Sequence, residues 1–338
     1  MNSRFSIKQI ITASVVITSL NVFSPSASAL NILLSNDDGL TSNVKALYTA
    51  LKNAGHDVLV STPCQGQSGM GGAVQFLRPL TPLSNACLNN AAAAGDPGAG
   101  QITKVEDGYD YSDFYYVNGT PVMATAYGLD VLAQARWGKY PDLLLSGPNE
   151  GRNTGYIVSS SGTVNNVQFA GGRGVPAIAL SGGIESKGVK DEAGNYDDSP
   201  DSVVIANLSV KLLDVLITKA AGGPLLPERM LLNVNFPDVV TATTAFKFSR
   251  IGSAQELEFV FVSDLSQDSF AQSQGLGSFT FPGVSIRFAD GEIDPDQASD
   301  EAHVSESAVS VTAMQLSYDH SQYGQQWLQL RLRDLLSK

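Results

Sequence analysis

The sequence predicts an α/β fold in which a mostly parallel sheet is flanked by helices. Three observations predict it. Short apolar runs without alternation, at Ile32-Leu-Leu34, Val58-Leu-Val60, Leu143-Leu-Leu145 and Pro176 to Leu180, suit strands covered on both faces. Segments with helical apolar spacing separate them, and a strand–helix–strand succession requires parallel pairing with a right-handed crossover. Polar, glycine-rich loops follow the strand ends, where open α/β sheets collect their ligands.

The elements follow in order. After Ile32 to Leu34, Thr41 or Ser42 can cap a helix whose Val44, Leu47, Tyr48 and Leu51 share one face, and Gly55 ends it. The strand Val58 to Val60 opens into a loop over 62–72, centred on Ser68. Residues 82–113 read as an exposed insertion, Ala/Gly-rich and then polar and aromatic. Order resumes with Tyr115 to Val117 and the turn Gly119-Thr-Pro121, Pro121 suiting the first helical position. That helix is expected to bury Val122, Ala126, Leu129 and either Val131 or Leu132. The Asp142 to Ser146 strand runs into a loop over 147–155; Ser161-Gly-Thr-Val164 opens another helix, and 199–221 is long and amphipathic. A strand over 231–235 precedes a C-terminal third with hairpin alternation over 249–287, an acidic and solvated stretch from Asp290 to Glu301, a strand at 309–312 and a helix at 325–336.

Residues 1–29 carry the marks of an export signal. Arg4 and Lys8 form a basic start, Ile10 to Leu20 an apolar centre, and Ala27-Ser-Ala29 a small-residue cleavage site. The apolar run is too short and too polar to span a bilayer, so the mature chain is expected to begin at Leu30 as an exported, periplasmic or secreted protein without a membrane span. Losing Arg4 and Lys8 from 21 basic residues leaves 19 against 33 acidic ones, a formal charge of −14. Such a balance argues against a nucleic-acid polymer or an anionic membrane as partner. Cys64 and Cys87 can pair in an oxidising compartment or remain as two buried thiols; both outcomes stand open.

Asp37 and Asp38 lie just past the first strand. An exposed Asp-Asp-Gly turn is the ordinary form of such a tripeptide, but adjacent carboxylates held inside a fold repel each other and call for a cation. Two further strand-end loops, carrying Ser68 and Asn149, fall on the same expected edge. Two carboxylates, a hydroxyl and an amide oxygen make a hard donor set for Mg²⁺ or Mn²⁺. The helix starts at Thr120 and at Ser161 to Thr163 offer anion-binding groups nearby. A metal beside a phosphate cradle points to hydrolysis of a phosphate ester, with Asp37 or Asp38 close to the attacking nucleophile and an activated water favoured over direct carboxylate attack.

The ordered set Ile32 to Gly39, Gln67-Ser-Gly69, Gly119-Thr-Pro121, Pro141-Asp142, Ser146-Gly-Pro-Asn149 with Gly151 and Asn153, Ser161-Gly-Thr-Val164, Gly174 to Ser181, Leu232 to Pro237 and Val309 to Thr312 resembles the SurE family, metal-dependent nucleotidases and acid phosphatases. The resemblance spans nearly all of 30–338. It implies a Rossmann-like core and a C-terminal extension, about 245–338, used in homodimer or homotetramer formation. It also implies Asp37, Asp38, Ser68 and Asn149 as the divalent-metal site. Asn36, Gly119, Thr120, Asn153, Ser161, Gly162 and Thr163 would line the phosphate or nucleotide pocket, where small phosphorylated substrates, nucleoside monophosphates and other phosphate esters, would be hydrolysed.

Some positions depart from the family pattern. Val122, Met123 and Ala124 stand where a small residue, Asp and Cys are common, and Asn165, Asn166 and Phe169 replace small residues and a Glu. These leave the metal ligands in place and bear on base specificity and assembly. The alternative from another class is an exported, non-catalytic metal- or nucleotide-binding or scaffolding protein of the same fold. A haloacid-dehalogenase-like phosphatase needs Asp-x-Asp, and a dinucleotide oxidoreductase needs Gly-x-Gly-x-x-Gly after a strand; neither pattern is met.

Overall fold

A computed structural model describes residues 29–188, 199–289 and 294–336; the expected export signal, up to residue 28, and 290–293 of the acidic stretch lie outside them. Strands β1 (Asn31–Ser35), β2 (Asp57–Pro63), β3 (Ala99–Gln101), β4 (Phe114–Val117), β5 (Leu143–Glu150), β6 (Ala177–Gly182), β7 (Met230–Asn235) and β8 (Phe246–Ser249) share one sheet with β11 (Val309–Gln315). Its order is β3-β4-β2-β1-β5-β6-β7-β11-β8. β4, β2, β1, β5, β6 and β7 run parallel, β3 is antiparallel at one edge, and β11 is antiparallel to β7. The chain winds outward from β1 through β2 to β4, then returns to β5 on the other side of β1. Adjacent β1 and β5 therefore flank the point where the winding reverses, the crevice position of doubly wound sheets.

Alternate residues of each central strand enter two separate cores. Ile32, Leu34, Leu143, Leu145, Ile178 and Leu180 point to the face covered by α1 (Ser42–Asn53) and α5 (Pro200–Ala220). Leu33, Leu144, Ala177 and Ala179 point to the other face, covered by α4 (Gly162–Gly172) and by the helical run α2 (Pro121–Tyr127) and α3 (Ala133–Trp137). Burial on both faces is what the unalternating apolar runs require. A π turn over 128–132 joins α2 to α3 and shifts the helical phase. Leu132 is consequently buried while Val131 stays half exposed.

Two stretches pack more deeply than expected. In the 82–113 insertion, read as exposed, Leu83, Cys87, Ala91, Ala92, Ile102 and Tyr111 join the core. Tyr109 and Tyr111 pack their rings on Phe114, and Cys87 is disulfide-bonded to Cys64 at the end of β2. The apolar residues scattered through this stretch have a sheet edge to cover, and β3 caps that edge. The acidic stretch ends buried as well. Asp300 accepts from Arg250 Nε at 2.6 Å and from the amides of Ser253 and Ala254 at 2.8 and 2.9 Å. Glu301, at the start of α7 (Glu301–Val304), accepts from Asn233 Nδ2 at 2.9 Å. Partners distant in sequence hold both carboxylates in the interior, fully for Asp300 and through one oxygen only for Glu301, whose Oε1 is buried without a partner.

Beyond β8 the chain forms an arm. β9 (Leu257–Val262) and β10 (Gly283–Phe288) pair antiparallel as a separate two-stranded sheet, with α6 (Ser269–Ser273) between them. The helix α8 (Gln322–Arg331) follows β11 and begins three residues earlier than its apolar pattern suggested.

Candidate active site

The crevice beside the C-terminal ends of β1 and β5 gathers the polar loops. Past β1 the chain turns through Asn36 to Gly39, where Asn36 Nδ2 donates to the Gly39 carbonyl at 2.7 Å and the Gly39 amide donates to Asn36 Oδ1 at 3.1 Å. Both polar atoms of Asn36 thus serve the turn that presents the two aspartates. Asn166 of α4 ties this turn to the neighbouring strand, its Nδ2 donating to the Asn36 carbonyl at 3.2 Å and to Ser146 Oγ at 3.1 Å. In β5 the register against β6 shifts between Ser146 and Asn149, a bulge that re-aims the strand end.

Asp37 and Asp38 are both buried. The Thr163 hydroxyl donates to Asp37 Oδ1, and the first amides of α4, at Gly162 and Thr163, also face this carboxylate. The helix N-terminus therefore meets an anion supplied by the chain itself. Gly162 permits the approach, since a Cβ there would lie 2.6 Å from Asp37 Cβ and 2.7 Å from Pro121 Cγ. Burial raises the proton affinity of Asp37, against the lowering pull of Thr163 and the amides. Asp38 accepts from the Glu150 amide at 2.9 Å and is pushed well up by burial, then by the neighbouring charges of Asp37 and Glu150.

Asp37, Ser68, Asn149, Asn153 and Ser161 line one cavity of about 650 Å³. The Ser68 loop is anchored at both ends, by Gln67 N to the Asp37 carbonyl at 2.8 Å and Gly71 N to the Ser160 carbonyl at 2.9 Å. Asn149 donates through Nδ2 to the Gly151 carbonyl at 2.8 Å, and its Oδ1 is buried with no hydrogen-bond partner. An orphaned amide oxygen on the cavity of Asp37 and Ser68, with Asp38 held behind it by the Glu150 amide, fits a hard divalent cation. Among the described residues no cluster of three His, Cys, Asp or Glu has ligand geometry, so a cation here would depend on the neutral oxygens of Ser68 and Asn149.

The remaining candidates serve as supports. Ser161 caps α4, its Oγ accepting from the Val164 amide at 3.2 Å. Asn153 is locked in a buried amide ladder: Asn233 and Asn235 donate to its carbonyl, Asn235 Oδ1 accepts its amide, and Ser181 accepts its Nδ2. Thr120 caps α2 and donates to the Ala73 carbonyl at 2.6 Å, and neither it nor Gly119 is among the residues lining that cavity.

Sequence reasoning missed a charged rim. Arg152 pairs with Glu256 at 2.6 Å and with Asp238 at 3.4 Å, and Lys187 lies 3.5 Å from Glu150. Glu256 also accepts from Thr154 Oγ1 at 3.0 Å, and Tyr156 Oη accepts from the Phe259 amide at 2.8 Å. Gly155, at φ +58°, lets the arm's connector pass; a Cβ there would meet the Ala254 carbonyl at 2.5 Å. The Gly-Pro-Asn-Glu-Gly-Arg spacing was the available signal, but it does not reveal partners a hundred residues away.

Known proteins share sequence and fold with this chain. An acid phosphatase of Yarrowia lipolytica is 34% identical over 215 residues, 62% of this chain and 57% of the phosphatase's own length. A protein named 5'-nucleotidase SurE from Paramagnetospirillum magneticum is 32% identical over 227 residues, covering 67% of this chain and 71% of that one. Its namesake from Methanococcoides burtonii is 29% identical over 223 residues, covering 65% and 73%. The crystal structure of a SurE protein from Aquifex aeolicus aligns with a TM-score of 0.60 at 24% identity, covering 89% of this chain and 99% of that one, a likeness of fold. The family model described as survival protein SurE matches residues 32–258, from β1 into the arm, and the chain belongs to the SurE family.

Proposed function

We propose that this chain is a divalent-metal-dependent phosphomonoesterase that hydrolyses nucleoside monophosphates. The observation that carries the reading is the buried, partnerless Oδ1 of Asn149 on the cavity shared with Asp37 and Ser68. Asp37, Asp38, Ser68 and Asn149 would hold the ion, which when bound supplies Lewis-acid stabilisation of the phosphoryl oxygens and acidifies water. The names carried by the relatives support the reaction class.

The protein's own residues do the rest. Thr163 and the α4 amides fix Asp37 in one orientation, and the Glu150 amide fixes Asp38. Positioning of this kind lowers the reorganisation needed as water attacks phosphorus. Either carboxylate can orient that water and accept its proton as the new P–O bond forms, and the alkoxide released when the ester P–O bond breaks takes up that proton. The Cys64–Cys87 disulfide accords with the exported location proposed for the mature chain, since oxidising compartments preserve such bonds. Among the described residues no helix is long and apolar enough to cross a membrane.

The test is phosphate release from nucleoside monophosphates and p-nitrophenyl phosphate by EDTA-treated protein resupplied with Mg²⁺ or Mn²⁺, beside Asp37→Asn. Metal-restored turnover that the variant lacks is expected. Metal binding with no release from any ester would leave a non-catalytic binding protein, and a phosphorylated aspartate trapped in turnover would replace water by a carboxylate as nucleophile.

A further inference from the structure

The cavity wall formed by the C-terminal arm is mostly apolar, with Glu256 and Gln274 as its polar members. One hairpin face is set by register: Leu257 lies opposite Phe288, and Phe259 opposite Ile286. Successive strand residues point to opposite faces, so these four side chains share a side. All four line the cavity that Asp37, Ser68 and Asn149 also line, and Phe270 of α6 joins them. The rings of Phe270 and Phe288 meet edge to face with centroids 5.8 Å apart. Phe259 and Phe288 nonetheless stay 41% and 63% exposed, leaving aromatic surface uncovered.

The arm is held in place by the site's own loop. Glu256 accepts from Arg152 and Thr154, and the Phe259 amide donates to Tyr156 Oη, so aromatic and carboxylate walls are mechanically linked. The result is a cavity with one pole of carboxylates and amides and another of phenyl rings. A phosphate ester that uses both has its phosphoryl group at the first and a flat, apolar group at the second.

We propose that Phe259, Phe270 and Phe288 form a stacking wall that selects phosphate monoesters bearing a planar aromatic group, whether a nucleobase or a simple aryl ring. The inference rests on the phosphomonoesterase reading above and adds the residues that would determine specificity. Stacking on an aromatic wall tolerates many ring types, so the wall distinguishes aromatic from non-aromatic esters before it distinguishes one base from another.

Two measurements test it on the full mature chain. The first compares kcat/KM for AMP, p-nitrophenyl phosphate, ribose 5-phosphate and glycerol 2-phosphate in the wild type, Phe259→Ala, Phe288→Ala and Phe259→Leu. The preference for both aromatic esters over glycerol 2-phosphate should fall about tenfold in each alanine variant, mainly through KM, and less in the leucine variant. AMP favoured without p-nitrophenyl phosphate would narrow the wall to nucleobases; equal wild-type rates on AMP and ribose 5-phosphate would overturn it. A parallel loss on all four esters would also overturn it, showing a structural role only.

The second measurement is calorimetric binding of adenosine and of ribose to metal-free protein, with the oligomeric state followed by light scattering. Adenosine binding that both alanine variants lose supports the wall, even if no ester is hydrolysed and the phosphatase reading fails. Absent adenosine binding overturns it. So does a change of oligomeric state in the variants with adenosine binding intact, which would assign this face to a second copy of the chain.

Discussion

Thr163 donates its hydroxyl proton to the carboxylate of Asp37, joining the first turn of α4 to the end of β1 across 126 residues of sequence. The bond fixes a buried anion from below while leaving the cavity side open. Thr163→Val keeps the shape and removes the donor. A hydrogen bond to a charged group contributes about 2 kcal/mol, so urea denaturation should show a loss of roughly that size and kcat should fall more than tenfold. Thr163→Ser should restore most of both.

Glu301 gives the fold a pH-dependent term remote from the cavity. Burial pushes its carboxyl from the ordinary 4.5 up to about 7, against the lowering pull of Asn233. With the folded value above the unfolded one, the folded state holds the extra proton between those limits. Stability should therefore fall as pH rises from about 4.5 to about 7. Glu301→Gln should flatten that slope, matching wild type near pH 4 and exceeding it at pH 8. Chemical denaturation across this range checks it, and a variant weaker at pH 8 would refute the assignment.

The Cys64–Cys87 bond closes a loop between β2 and the insertion, with a sequence separation of 23. Loop-closure entropy of that size corresponds to roughly 3 kcal/mol. A Cys64→Ser/Cys87→Ser variant should melt well below wild type, and reductant should lower the wild type to the same point. Because Leu88 N bonds the Cys64 carbonyl and Asn89 Nδ2 bonds the Leu40 carbonyl, activity should decline with stability.

The helix α8 buries none of its residues, although it carries Trp327, Leu328 and Leu330. We expect these exposed apolar side chains to support self-association. Light scattering over a concentration series should find a dimer or tetramer for wild type and a smaller species for Trp327→Glu. Identical masses would place the interface elsewhere.

Much of this architecture was legible in the sequence because both faces of the central strands are covered. Ile32 to Leu34 and Leu143 to Leu145 needed no alternation to be read, and their abrupt polar ends located the loops of Asp37 and Asn149. Local patterns could not show what those loops meet. Ser161 to Thr163 read as an anion cradle, and nothing nearby in sequence said that Asp37 is the anion facing it. Alternation around Leu257 and Phe259 revealed a hairpin, whereas its position over the cavity depends on Arg152, Thr154 and Tyr156. Asp300 and Glu301 looked solvated because their partners, Arg250 and Asn233, lie 50 and 68 residues away.

The position of β11 between β7 and β8 sets the order in which the sheet can be completed. Among the described residues β8 pairs with no strand except β11, and the outer edge of β7 pairs with the same segment. A chain emerging from a ribosome cannot complete the β8 edge of the sheet until residues 309–315 follow it. Closure of the sheet is thus a late, long-range event with the slow kinetics of non-local pairing.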